Sequence, residues 1–177
     1  MSSTAHSPDV LSLLHIRRLR RADLPALEWE GEYTHFRRMF KQAYDDAQRG
    51  SAIHWVAVLR PAKELIGQVF VQLRSRHNPA IADGQAQAYL YSIRVKEKFR
   101  NEGVGSHLMD AAEDDLRLRE FSVAMLNVAR DNPAAQQFYT RRGYQVAGAE
   151  AGQWSYIDHH GWRRYVDEPA WRMEKRL

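Results

Sequence analysis

Residues 100–106, Arg-Asn-Glu-Gly-Val-Gly-Ser, place two glycines, Gly103 and Gly105, directly before an amphipathic pattern. From Ser106 onward one predicted helical face carries Leu108, Met109, Ala112 and Leu116, and the other mostly carries Asp110, Glu113, Asp114 and Asp115. The first turn of a helix has backbone N–H groups without internal acceptors and about half a positive charge. The segment therefore predicts a site for a phosphate-like anion, with a purely conformational role of the glycines as the alternative.

Two known phosphate-binding loops do not match this segment. Leu108 stands where the dinucleotide fingerprint requires a third small residue, and the Gly-Lys-Ser/Thr of a P-loop is absent. Residues 94–100 add positive charge before the loop, through Arg94, Lys96, Lys98 and Arg100.

Composition and charge limit the class of protein. The 177 residues fit one domain at 15–177 preceded by a flexible, Ser-rich arm at 1–14, and no apolar run is long enough to cross a bilayer. Without cysteine the chain has no disulfide, thiolate metal site or cysteine nucleophile. The net charge of +4 is weak support for nucleic-acid binding, which we do not expect. No secretory signal is evident, so we expect a cytoplasmic protein.

Strands and helices alternate along the predicted domain. Strands are predicted at 15–20, 52–60, 65–74, 88–95, 121–128 and 169–177, with a hairpin at roughly 152–168. Asp23 and Pro25 predict the start of one helix, and apolar spacing predicts a second over 34–48. Asn132 and Pro133 cap and begin a further helix that ends at Gly143.

The order of strand, glycine loop, helix, strand and capped helix resembles the GCN5-related N-acetyltransferase (GNAT) family. Its acetyl-CoA motif, Arg/Gln-x-x-Gly-x-Gly/Ala, matches Arg100, Gly103 and Gly105. A later family motif matches Asn132, Ala135, Tyr139, Gly143 and Tyr144. The resemblance implies an α/β (α+β) fold: a mixed, mostly antiparallel seven-stranded sheet, about four flanking helices, and two splayed central parallel strands. The hairpin near the C-terminus is an addition to the shortest family pattern.

The resemblance also implies where acetyl-CoA binds. Its pyrophosphate would contact the backbone amides of Arg100, Asn101, Glu102, Gly103, Val104, Gly105 and Ser106. Its pantetheine arm would lie along the strand end at Ile93, Arg94 and Val95, and Asn132 and Ala135 would also contact the cofactor. Tyr139 would lie near the sulfur.

Tyr139 is the predicted general acid. A phenol within reach of the leaving thiolate can protonate it, since the two ordinary pKa values, about 10 and about 8.5, are close. The alternative is a core tyrosine that shares a helix face with Ala135 and Phe138. The resemblance implies transfer of acetyl to a primary amine in a small molecule or peptide. The lack of cysteine favours direct transfer, because the commonest acyl-enzyme nucleophile is missing.

The general base is open, because residues 88–95 contain no carboxylate. Glu30, in an acidic and aromatic run at residues 27–35, is the predicted acceptor-side residue, with a solvated helix end as the alternative. A noncatalytic acyl-CoA-binding module is the alternative function. The family frequently forms dimers, which implies a homodimer here.

Asp158, His159 and His160 lie in the predicted hairpin turn, and no metal site is expected. Adjacent side chains in a strand point to opposite faces and rarely share a metal.

Overall fold

A mixed seven-stranded sheet runs through the protein. The computed structural model describes residues 9–177, and residues 1–8 of the predicted arm lie outside the described part. The strands in the described residues are β1 Leu14–Arg18, β2 Ala52–Leu59, β3 Glu64–Gln72, β4 Gln87–Val95, β5 Val123–Ala129, β6 Gln145–Glu150, β7 Gln153–Ile157, β8 Arg163–Asp167 and β9 Ala170–Arg176. The sheet order is β1-β2-β3-β4-β5-β9-β6, and β7 and β8 form a separate hairpin.

Within residues 9–177, four α-helices accompany the sheet: α1 Val10–Leu13, α2 Arg37–Gln48, α3 Val104–Leu118 and α4 Pro133–Arg141. Three 3₁₀ segments span Arg21–Gly31, Thr34–Phe36 and Glu97–Phe99. The predicted fold class is confirmed, including the central parallel pair and the additional hairpin. Within the predicted arm, residues 10–13 form α1 and Leu14 begins β1. None of the helices in residues 9–177 is both long enough and apolar enough to cross a bilayer.

Each face of the sheet has its own apolar core. On one face, α3 presents Val104, Leu108 and Leu116 to the inner strands, all at most 1% exposed. On the other face, Leu27 and Phe40 pack from the 3₁₀ segment and α2 onto β2 and β3. Both faces of β3 are covered, so this strand is apolar along nearly its whole length.

The predicted helix after Asp23 is instead a kinked 3₁₀ segment. Pro25 lies inside it, and Trp29 and Glu30 both have left-handed backbone angles, at φ 45° and 55°. Neither a proline nor two left-handed residues fit a continuous α-helix. The N-cap is Arg20 and not the predicted Asp23, which lies in the first turn and whose carboxylate accepts from the backbone N–H of Arg20 at 2.7 Å.

Glu113 departs from the predicted polar face of α3. It is 1% exposed, and its two carboxylate oxygens accept from the Tyr144 hydroxyl at 3.1 Å and from Lys175 Nζ at 2.5 Å. A buried carboxylate is retained when cations and hydroxyls satisfy it. This residue therefore ties α3 to the end of α4 and to β9.

The central parallel strands separate part of the way along their length. β4 and β5 pair from Gln87 with Val123 to Leu90 with Leu126, and both strands continue without further pairing between them. Beyond Leu90, β4 bends at Ser92, which has a φ of 50°. The sheet is thus open between the carboxyl ends of β4 and β5, as predicted.

Candidate active site

A cleft of about 960 Å³ occupies the opening between β4 and β5. The ends of β4 and β5 and the start of α4 line this cleft. The 3₁₀ turn at Thr34–Phe36 and α2 also line it, as does the β7–β8 hairpin. The residues discussed below that line it are Tyr33, Phe36, Asp46, Tyr89, Tyr91, Ile93, Arg94, Asn132, Ala135, Tyr139, Glu150, Gln153, Trp154 and Glu168. Ligand sites of open sheets are expected at such strand ends.

The glycine loop presents backbone donors at the start of α3. The N–H groups of residues 101–106 donate to no acceptor among residues 9–177, and the first bond into the helix runs from His107 to Gly103. Gly103 has a φ of 84°, which explains its lack of a side chain. Gly105 has no such constraint, since an added Cβ would lie 3.4 Å from Phe138, an ordinary contact. An anion of pyrophosphate size fits these free donors.

The predicted positive charges around the loop do not act together. Lys96 pairs with Glu30 at 3.1 Å and with Glu64 at 3.3 Å, and Lys98 pairs with Glu64 at 3.2 Å. Arg100 instead donates from Nε to the Val95 carbonyl at 3.1 Å and makes no ion pair within residues 9–177. Of Lys96, Lys98 and Arg100, only Arg100 is therefore free of a carboxylate partner within residues 9–177, and it lies beside the loop.

The open edge of β4 offers backbone groups to an extended ligand. The Lys96 N–H donates to the Ile66 carbonyl of β3 at 2.8 Å. Because the backbone N–H and C=O groups of successive residues in a strand point to alternate sides, those of Val95 and Ile93 face the opening. On that side the Arg100 side chain is the only partner that Val95 has within residues 9–177. The geometry suits a chain such as pantetheine laid along this edge.

Asn132, Ala135 and Tyr139 lie together on the α4 side of the cleft. Asn132 caps α4 through a hydrogen bond from the Ala135 N–H to its Oδ1, at 3.1 Å. Tyr139 is 7% exposed, packs edge-on against Phe138 and Tyr144, and its hydroxyl has no hydrogen-bond partner among residues 9–177. The phenol therefore reaches the cleft with its proton uncommitted.

Burial controls the acidity of the cleft tyrosines. It raises the pKa of Tyr139, and neighbouring Tyr89 adds to the shift. Burial and the negative charge of Glu150 raise the pKa of Tyr89 to about 12. Both phenols are therefore protonated at neutral pH.

Glu30 lies outside the cleft that contains Tyr139. Its side chain is 80% exposed and pairs with Lys96 in a second hollow that Trp29 and Arg100 also line. The carboxylates lining the main cleft are Asp46, Glu150 and Glu168. Glu150 ends β6 and belongs to neither motif, although it follows Tyr144 by only six residues, so the motif spacing alone could not single it out.

Comparison with protein families identifies this arrangement. Residues 15–144 match the family model described as "Acetyltransferase (GNAT) family". The chain belongs to this family.

Related proteins agree with the assignment. The GNAT chain is 31% identical over 70 residues to "Uncharacterized N-acetyltransferase YesJ" of Bacillus subtilis (strain 168), a match that covers 39% of each protein. The structure of Ard1 from Thermoplasma volcanium superposes with a TM-score of 0.70 at 20% identity, covering 93% of this chain and 98% of that one. The PaiA N-acetyltransferase of Thermoplasma acidophilum, solved with coenzyme A, gives 0.65 at 18% identity over 93% and 99%. The two solved structures show that this chain shares their fold.

The β7–β8 hairpin closes one side of the cleft in this GNAT chain. Tyr156 packs on Phe36 with ring centres 4.9 Å apart and on His35 at 6.0 Å. Trp154 stacks on Phe36 at 6.4 Å and lines the cleft together with Gln153. The hairpin is therefore part of the wall of the cleft.

Asp158 stabilises the hairpin turn. Its carboxylate accepts from the backbone N–H groups of His160 and Trp162 and from Arg164 Nε, at 2.9, 3.0 and 2.7 Å. Burial acts to raise its pKa, but these bonds outweigh burial and lower the pKa to about 2. Residues 9–177 contain no group of three or more His, Cys, Asp or Glu side chains placed to hold a metal ion.

Gly152 is the point where the hairpin leaves β6, and replacing it with alanine tests this connection. Its φ is 71°, and an added Cβ would overlap the backbone carbonyl of Glu168. Gly50 has a similar φ of 78° with nothing near its Cβ position, so G50A measures the conformational cost alone, about 1–2 kcal/mol. We expect G152A to lower the free energy of unfolding by about 1–3 kcal/mol more, as in overpacked sites.

Urea unfolding of both variants gives this difference, and hydrogen exchange of the Glu168 amide, which donates to Gly152, reports the hairpin itself. Equal costs in the two variants, with unchanged exchange at residue 168, would show that the hairpin does not need glycine there.

Proposed function

We propose that this GNAT chain is an N-acetyltransferase that transfers acetyl from acetyl-CoA directly to a primary amine of a small molecule or peptide. The observation that carries the proposal is the row of free N–H groups at residues 101–106 beside the opening between β4 and β5. A pyrophosphate fits the row, and a pantetheine arm fits the open edge of β4. The N-acetyltransferases among its relatives and the coenzyme A complex of PaiA support the same assignment.

The acid in this proposal is Tyr139. Acetyl-CoA supplies an activated acetyl group whose C–S bond breaks as the C–N bond to the amine forms. Tyr139 donates its proton to the sulfur as the thiolate leaves. Burial raises the pKa of Tyr139, so the phenol carries its proton until the thiolate forms.

The base in this proposal is Glu150, which accepts the proton released by the attacking amine, directly or through water. Its carboxylate lines the cleft, is about one-third exposed, and is held by Arg172 Nη1 at 3.0 Å. Glu150 and Tyr139 line the same cleft, which supports placing both proton-transfer groups around one reaction centre. Glu150 thus offers the carboxylate that β4 lacks, which weakens the case for a noncatalytic module.

The cytoplasmic location and the homodimer stay predictions, as do the individual cofactor contacts of residues 93–95, 100–106, Asn132 and Ala135. Glu30 is not used in the proposed reaction.

Replacing Tyr139 with phenylalanine tests the acid. We expect kcat to fall about 10²–10⁴-fold because the leaving thiolate loses its proton donor, with coenzyme A affinity unchanged. Initial rates with acetyl-CoA and a panel of primary amines, together with calorimetry, measure both. Because the pKa of Tyr139 is raised, the phenol stays protonated through pH 10, and the wild-type rate should show no loss from this group below that pH.

The control for this substitution is Y91F, which removes a second buried phenol from the same cleft. A similar loss in Y91F would contradict the role of Tyr139. If the wild-type protein binds coenzyme A but acetylates no amine, the chain is an acyl-CoA-binding module.

Replacing Glu150 with glutamine tests the base. The amide keeps a hydrogen bond to Arg172 but cannot accept the amine proton, so kcat/KM should fall about 10²-fold. E168Q changes another carboxylate of the same cleft and should stay within about threefold of wild type, since charge alone is not required there. The assignment of the base is wrong if E168Q loses more activity than E150Q.

Replacing Arg100 with glutamine tests the pyrophosphate site. A hydrogen bond to a charged group contributes about 1.5–3 kcal/mol, so coenzyme A should bind about 10-fold to 100-fold more weakly. K98Q removes a neighbouring charge that Glu64 already pairs, and its affinity should change less than about threefold. Calorimetric titration with coenzyme A measures both, and equal losses would show a general charge effect instead of a contact at the loop.

A further inference from the structure

Arg94 is the one Lys or Arg side chain lining the cleft among residues 9–177. It follows the bend of β4 and extends over the aromatic side chains of the 3₁₀ turn. Its guanidinium carbon lies 4.0 Å from the ring centre of Tyr33 and 5.2 Å from that of Phe36. These two rings are nearly parallel, with an interplanar angle of 9°. The guanidinium is thus held in a defined orientation by flat apolar surfaces.

This cation has no anion of its own. Its Nη1 atom is buried and has no hydrogen-bond partner, and no carboxylate lies within ion-pair distance of Arg94 among residues 9–177. Its cross-strand partner Gln68 directs its amide N–H to the Ser92 hydroxyl at 2.8 Å. Glu32, a nearby carboxylate, is exposed to solvent and lies outside ion-pair distance of Arg94.

An unpaired, partly buried cation is unfavourable and calls for a ligand. Burial lowers the pKa of Arg94, yet a guanidinium stays protonated in proteins, so the charge itself remains in the cleft. Taking a charge out of water without a partner costs several kcal/mol, and buried N–H donors are almost always satisfied. Arginine with a fixed planar fork is the side chain best suited to a carboxylate or phosphate.

The position of Arg94 indicates the acceptor side of the cleft. Neighbouring Ile93 and Val95 pack toward the α3 core, whereas Arg94 turns to the opposite face, where Tyr33 and Phe36 lie. The predicted pyrophosphate donors at residues 101–106 lie beyond the end of β4. The wall around Arg94 is largely aromatic and includes Trp154 of the hairpin.

We propose that Arg94 binds an anionic group of the acceptor, so that the substrate is a primary amine that also carries a carboxylate or phosphate beside an apolar body. The proposal rests on the proposed acetyltransferase function. In this arrangement the amine end faces Glu150, the anionic end pairs with Arg94, and the aromatic side chains contact the apolar part between them. An α-amino acid or a short peptide with a free C-terminus has this pattern of charge.

Arg94 variants and matched probes test the proposal. The amines are phenylalanine, leucine and methionine, each with its amide, and the phosphonate analogue of phenylalanine. With wild type, kcat/KM for the anionic member should exceed that of the amide at least about 10-fold. R94Q should lower kcat/KM for the anionic amines about 100-fold, mainly through KM, and change the amides less than about threefold. R94K keeps the positive charge but not the planar guanidinium, so its kcat/KM for the anionic amines should lie between those of wild type and R94Q.

Binding separates this inference from the proposed function. Calorimetry with coenzyme A present should show that N-acetylphenylalanine binds wild type at least about 10-fold tighter than its amide, a preference that R94Q removes. A higher wild-type kcat/KM for the phosphonate analogue than for phenylalanine itself would indicate an acceptor that carries a phosphate instead of a carboxylate. Coenzyme A alone should bind R94Q and wild type equally, because the pantetheine contacts predicted at residues 93–95 use backbone groups that the substitution keeps.

Equal binding of the acid and amide probes to wild type would overturn the inference whether or not the protein turns over any amine. A selective loss of coenzyme A affinity in R94Q would also overturn it, because Arg94 would then serve the cofactor. Acetylation of the amides and acids at equal rates would support the proposed acetyltransferase function but contradict the inference that the acceptor carries an anionic group.

Discussion

The interruption of hydrogen bonding between β4 and β5 is the constraint on which the rest of the site depends. Four residue pairs hold the two strands together, ending at Leu90 and Leu126, and beyond them each strand follows a separate course. The left-handed backbone of Ser92 turns β4 away, while antiparallel pairing with β9 keeps β5 in place as far as Ala129. A continuous sheet would have no cleft here and no free β4 edge.

Supporting interactions at the periphery hold the open strands in position. On one side, Glu113 of α3 is satisfied by groups from the end of α4 and from β9. On the other, the hairpin packs on Phe36 and closes the wall through Trp154. The cleft therefore lies between two fixed boundaries, and the backbone donors of the glycine loop stand at one end of it.

Burial sets the chemistry of this cleft. Excluding water raises the pKa of Tyr139 and keeps its phenol protonated, which suits a proton donor. The same exclusion makes an unpaired Arg94 costly and gives its charge a strong preference for an anionic partner. Glu150 and Arg94 give the cleft groups of opposite charge, and such a pattern can orient a zwitterionic molecule.

Local patterns in the sequence determined most of the fold. The alternating strands, the cap at Asn132 and the glycines before α3 depend on neighbours a few residues away, so their positions could be predicted. The boundaries were less accurate, since α3 begins at Val104, and the kinked 3₁₀ segment was not foreseen because Trp29 and Glu30 adopt left-handed angles without a glycine.

Charge partners were decided by tertiary structure. Lys96 and Lys98 have the residue type of an anion site, but Glu64 from the distant β3 pairs with both. Glu30 resembled an acceptor-side residue in sequence, and the fold places it outside the cleft. Glu150 enters the cleft only because β6 ends beside the opening. Whether a charge is paired, buried or free depends on residues far away in the chain, which spacing does not encode.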